Sequence, residues 1–101
     1  MVYTIAEVME ANLIKKEDIK DKVHFVHAEV LNTDEARQER KRRLENAMRL
    51  GNGYKGKITI VFATDEGDLA VETTVWATTD SGVQLKGDVH IPIHSIREVI
   101  I

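Results

Sequence analysis

Residues 57–101 read K-I-T-I-V-F-A-T, D-E-G-D, L-A-V-E-T-T-V-W-A-T, T-D-S-G, V-Q-L-K, G-D, V-H-I-P-I and H-S-I-R-E-V-I-I. Apolar and polar residues alternate in short runs, and Gly and Asp separate the runs. This is the pattern of short antiparallel strands joined by tight turns. Ile58, Ile60 and Phe62 share one face of the first run. Leu69, Val71, Thr73, Val75 and Ala77 share a face of the second, with Glu72, Thr74, Trp76 and Thr78 opposite. Val83 and Leu85 pair with Val89 and Ile91 across the Gly87-Asp88 turn. Pro92 has no amide proton, which places its strand at an edge. Ile96, Val99 and Ile101 complete the core. The expectation is a small, strongly bent antiparallel β-barrel of about five strands.

The residues before this stretch read as helices. Thr4 and Glu7 form a capping box, with Ile5, Val8 and Met9 on one face and Asn12 as the stop. Glu17-Asp18-Ile19 opens a second short turn. Residues 22–31 fit both a strand and a helical stripe. Their Val and Phe content favours the strand.

Residues 33–50 form the most clearly marked helix. Asn32 or Thr33 caps it, Asp34 and Glu35 suit the positive end of its dipole, and Arg49 stands in its last turn. Gly51 is expected to end it in a left-handed conformation. Glu39 with Arg43, and Glu45 with Arg49, have the spacing of helical ion pairs. Leu44, Ala47 and Met48 make a contact face, whereas the first half offers only Ala36. That half is expected to stand in solvent or against another molecule. The fold class is therefore α+β in one domain over residues 1–101: a mainly helical part over 1–51 and a barrel over 54–101.

The ending I-P-I-H-S-I-R-E-V is similar to the closing element of SH3-like and Sm-like small barrels. There a strand passes through one tight, near-helical turn into a last short strand. The strand spacing, with a helix before the first strand, also resembles an Sm-like barrel over residues 33–101. The whole chain resembles a small bacterial family in which helices precede such a barrel, a family that brings no activity with it. Sm-like proteins bind RNA and form rings. This chain carries no matching nucleotide-binding signature, and its helix before the barrel is longer and more charged.

Composition narrows the function classes. The chain has 101 residues, a net charge of −3 and no Cys. Nothing in its charge balance advertises nucleic acid as a partner. No apolar run approaches the roughly 20 residues of a membrane span, so no membrane partner is expected. The N-terminus shows no basic start followed by an apolar stretch, and a secretory signal is not expected. Without Cys there is no disulfide, thiol nucleophile or thiolate metal site, which favours a cytoplasmic location. No G-x-S-x-G, P-loop, H-E-x-x-H or Gly-rich dinucleotide turn occurs. No catalytic residue and no cofactor is assigned.

Three groups are candidates for binding. His24, His27, His90 and His94 are potential zinc ligands. On extended chain, however, His90 and His94 lie about 13 Å apart. Arg37, Arg40 and Lys41, joined by Lys55, are potential phosphate contacts, since Arg forks grip phosphate oxygens. Glu35, Glu39 and Glu45 lace the same helix, and the ordinary alternative is a solvated face whose Arg stems cover apolar surface. Trp76, Val89 and Ile91 are interface candidates, although a lone Trp more often covers the flank of a small core. The expected function is a non-enzymatic binding or assembly module whose partner is a protein, copies of itself included. Nucleic-acid binding through the helix of residues 33–50 comes second. A metal or enzymatic role through the histidines comes third.

Overall fold

The structure is a computed structural model that describes residues 13–15, 17–19, 23–53 and 57–100. The helix expected around Thr4 and Glu7, and Lys55, lie outside the described residues. Helix α1 spans Asp34–Gly53, followed by β1 (Ile58–Thr64), β2 (Gly67–Thr73), β3 (Val75–Thr78), β4 (Gly82–Leu85) and β5 (Val89–Pro92). A 3-10 turn at Ile93–Ser95 leads into β6 (Ile96–Ile100). That turn falls where the I-P-I-H-S-I segment predicts one. Ser95, buried, donates from its hydroxyl to Pro92 O at 2.8 Å.

The strands form two three-stranded antiparallel sheets, in the orders β2-β1-β6 and β3-β4-β5. The expected bent barrel of about five strands is corrected here: the six strands lie in two sheets that are not closed into a barrel. The long L-A-V-E-T-T-V-W-A-T run is broken at Thr74, so its first half pairs with β1 and its second half with β4. The pairing across the last hairpin is the expected one, Val83 opposite Ile91 and Leu85 opposite Val89. Gly87 and Asp88 turn it with φ of 87° and 63°, the left-handed region that Gly and Asp tolerate best. Pro92 sits on an edge strand, as its missing donor requires.

Alternate residues of both sheets face one core. Ile58, Ile60, Phe62, Val71, Val75, Val83, Leu85, Val89, Ile91, Ile96 and Val99 are buried together, with Leu44 and Ala47 of α1 and Ile19 from the turn at residues 17–19. Strand β1 is buried along its whole length, Thr59, Val61 and Ala63 included, so it is enclosed on both faces. Residues 23–26 run extended beside its end. Phe25 bridges to Thr64, and the Asp65 amide donates to His24 O at 3.0 Å. The Phe25 and Phe62 rings meet at 5.6 Å between centroids, a tilted pair.

Thr33 caps α1: its hydroxyl accepts from the Ala36 amide at 3.1 Å. The expected stop at Gly51 is corrected, because the helix runs on to Gly53. Gly51 serves a tertiary purpose. A Cβ there would lie 2.3 Å from Val75 O, so only Gly lets α1 approach β3 this closely. Since the helix is longer, Arg49 is no longer in its last turn, and it donates to Asn46 Oδ1 at 3.4 Å instead of meeting Glu45. Helix α1 packs along both β3 and β6, edge strands of different sheets. Among the described residues, no helix is long and apolar enough to cross a membrane.

Candidate functional site

Helix α1 presents two differently used rows of cations. Residues three or four apart share a helix face. Arg40 and Arg43 lie on the row that continues to the buried Leu44 and Ala47, and they reach β6. Arg40 is only 6% exposed. Its Nη1 and Nη2 grip Glu29 at 2.8 and 2.5 Å, and Nη1 also donates to Ile96 O at 3.0 Å. Arg43 donates to Val99 O at 3.0 Å and to Glu39 at 2.9 Å. The two guanidiniums thus occupy carbonyls of the β6 edge, which an open strand would leave to another chain.

Glu29 completes this clasp. It accepts from the Leu31 amide at 3.1 Å and lies 3.8 Å from Arg37 Nε. The hydrogen bonds from Arg40 favour its charged form more than burial opposes it, and its pKa falls from 4.5 to about 2. Glu39 is also held below its usual range, first by its bond to Arg43. Arg40 Nε is the one buried side-chain polar atom without a partner among the described residues.

Arg37, Lys41 and Glu45 are four apart on the second row, which faces the β3–β4 turn. Together with Arg40 they form one wall of a cavity of about 510 Å³. Thr78, Thr79 and Asp80 form the opposite wall, with Glu29 and Ile93 between them. Three of the sequence-predicted phosphate contacts, Arg37, Arg40 and Lys41, therefore meet at one cavity. They meet there with three carboxylates, Glu29, Glu45 and Asp80, so the cavity's formal charges balance. Arg37 is engaged by Asp34 at 3.2 Å and by Leu31 O at 3.1 Å. Arg42 is paired with Glu39. Lys41, Glu45 and Asp80 have no ion-pair partner among the described residues. Sequence reasoning missed Glu29 and Asp80. The first is an isolated acid in an irregular segment, and the second is an ordinary turn residue.

The histidines do not converge as a set of four. His24, His27 and His94 line a shallow groove with Phe25 and Pro92. His94 Nε2–H donates to Val26 O at 2.9 Å, which engages that nitrogen. His24 is exposed beside Asp65, 3.7 Å away. His90 stands on the outer side of β5, with its ring lying across Gly82, where a Cβ would come within 2.8 Å of its Nε2. Among the described residues, no three His, Asp or Glu side chains are grouped to hold a metal ion.

The interface candidates divide. Val89 and Ile91 turn their side chains into the core. Their strand is an edge, as expected, and its outward backbone can be read from the ladder. Ile93 N donates to Ser81 O, so Ile91 and Val89 also bond inward to β4. His90 and Pro92 are left facing out, and Pro92 offers no donor. Trp76 is 49% exposed. It sits where the β3–β4 register shifts between Val75 and Ala77, the extra residue of a β-bulge. Gln84 and His90 lie on the same outer face, between buried neighbours on β4 and β5.

Comparison with family models, with curated proteins and with solved structures finds no match.

Proposed function

We propose that this chain is a non-enzymatic, cytoplasmic binding and assembly module whose partners are proteins, copies of itself among them. The observation that carries this reading is Trp76. A large aromatic side chain stands half exposed on a bulge; among the described residues Leu13 is the other large apolar side chain exposed to this degree. Bulges re-aim side chains, and Trp is prominent among the residues that anchor protein contacts. Around it the outer face of β3-β4-β5 carries Gln84, His90 and the Asp88 carboxylate that accepts from Gln84 at 2.7 Å. Such a face bears little net charge, so a second identical face is not repelled.

Strand order also supports an SH3-like or Sm-like outline, opened rather than closed. Strands β2 and β3 run on through the single residue Thr74, and the 3-10 turn joins β5 to β6. We infer that the two sheets are the halves of such a barrel, with α1 lying along its open side. Nucleic-acid binding is the second reading, favoured by the meeting of Arg37, Arg40 and Lys41 at one cavity. It ranks lower because Arg37, Arg40, Arg42 and Arg43 are all engaged by carboxylates.

The test is size-exclusion chromatography with light scattering, without nuclease treatment, while the absorbance ratio is followed. The expected result at high micromolar concentration is a mass above the 11.4 kDa of one chain, with no nucleic-acid absorbance and little change with salt. A monomer that carries nucleic acid, released by salt, would reverse the ranking.

A further inference from the structure

We propose that the cavity between α1 and the outer edge of β3 docks an extended peptide segment of a partner protein, one bearing a basic side chain. This rests on the reading of the chain as a protein-binding module and gives that module a second, chemically defined surface.

The backbone supplies the first reason. Thr79 N donates to Gly82 O at 2.9 Å, and Ala77 lies opposite Gln84. In an antiparallel ladder, bonded and non-bonded pairs alternate. The pair between them, Thr78 and Val83, is therefore non-bonded, and the Thr78 N–H and C=O point away from β4. Thr78 lines the cavity, so these two groups face it. A donor and an acceptor offered side by side on a strand edge are what an added strand binds.

The cavity supplies the second reason. It is an open cleft, and at about 510 Å³ it falls within the roughly 300–1,000 Å³ of ligand-binding clefts. One wall is the last residue of β3 with the turn that follows it, and the other is helix α1, which leaves a slot for a short extended segment.

Charge supplies the third. Arg37 and Arg40 are neutralised by Asp34 and Glu29. The remaining ionic groups are one cation, Lys41, and two carboxylates, Glu45 on the helix wall and Asp80 on the turn. A Lys or Arg side chain from the bound segment placed between these two walls satisfies both carboxylates.

The test titrates 15N-labelled protein with an acetylated, amidated Thr-Val-Lys-Val-Thr peptide. The controls replace its Lys by Glu or by norleucine. The expected result is that the largest amide shifts fall at Thr78 to Asp80, that hydrogen exchange at Thr78 slows, and that the indole signal of Trp76 stays in place. Glu45→Gln and Asp80→Asn should each weaken the Lys peptide about two- to fivefold, the scale of an exposed ion pair, and leave the norleucine peptide unchanged. Neither carboxylate has an internal partner among the described residues, so both variants fold. Several results would overturn the proposal: no shift at Thr78 with millimolar peptide, equal binding of the Glu peptide, or indifference to both substitutions. Shifts at Thr78 that grow with protein concentration alone would assign the cavity to a second copy of the chain. Shifts confined to the Trp76 indole would leave the module reading standing and remove this docking site.

Discussion

Deleting the Glu29 carboxylate strands Arg40. The guanidinium is buried, and without its partner it becomes an uncompensated charge in a low-dielectric position. Glu29→Ala should destabilise the fold by roughly 2–4 kcal/mol, while Glu29→Leu combined with Arg40→Met should recover much of the loss. A double-mutant cycle by urea unfolding checks this. The same pair sets an acid limit. Because the folded-state pKa of Glu29 is about 2 and its ordinary value 4.5, its contribution is fully present above pH 4.5 and is lost as pH falls toward 2. Allowing for the solvent that still reaches Glu29, the loss is roughly 1–3 kcal/mol. It should be absent in Glu29→Gln.

Gly51 makes an equally sharp case. In an exposed helix interior, Gly→Ala stabilises by up to about 1 kcal/mol. Here the added Cβ would meet Val75 O, so Gly51→Ala should destabilise by roughly 1–3 kcal/mol. The sign of the change in melting temperature decides between close helix–strand approach and an ordinary helix position.

At the scale of elements, β1 is the keystone of its sheet, paired on both sides and buried throughout. Ile60→Ala should cost roughly 2–5 kcal/mol in urea unfolding. A loss no larger than that of a surface change would contradict the burial of Ile60 in this strand. Much of this level was legible in the sequence, because strand alternation and turn residues act locally. The Val83–Ile91 and Leu85–Val89 pairs follow from the two-residue period on either side of Gly87-Asp88. The Thr33 cap follows from a hydroxyl placed before an acidic first turn. Other features depend on tertiary contacts that no local pattern encodes. The end of α1 moved because Gly51 answers to β3, not to its own helix. The single barrel became two sheets because the chain changes partners at Thr74, a residue that alternation alone reads as mid-strand. Arg40 looked like one cation among several, and its acid partner arrives from eleven positions earlier through an irregular segment.

For the molecule as a whole, the question is which surface remains for partners once the fold has used its own groups. The β6 edge is held by Arg40 and Arg43, and α1 lies along β3. Arg40 and Arg43 are thereby committed to the fold. Pro92 blunts the β5 edge. The cavity beside Thr78 and the sheet face around Trp76 remain. Trp76 is the sole Trp, so intrinsic fluorescence reports that face alone. The decisive measurement is its emission maximum across a dilution series from high micromolar to nanomolar protein. If like faces meet through Trp76, emission should be blue-shifted at the concentrated end and move to the red on dilution, in step with a falling light-scattering mass. An emission maximum that holds constant while the mass stays at 11.4 kDa throughout would contradict assembly through this face.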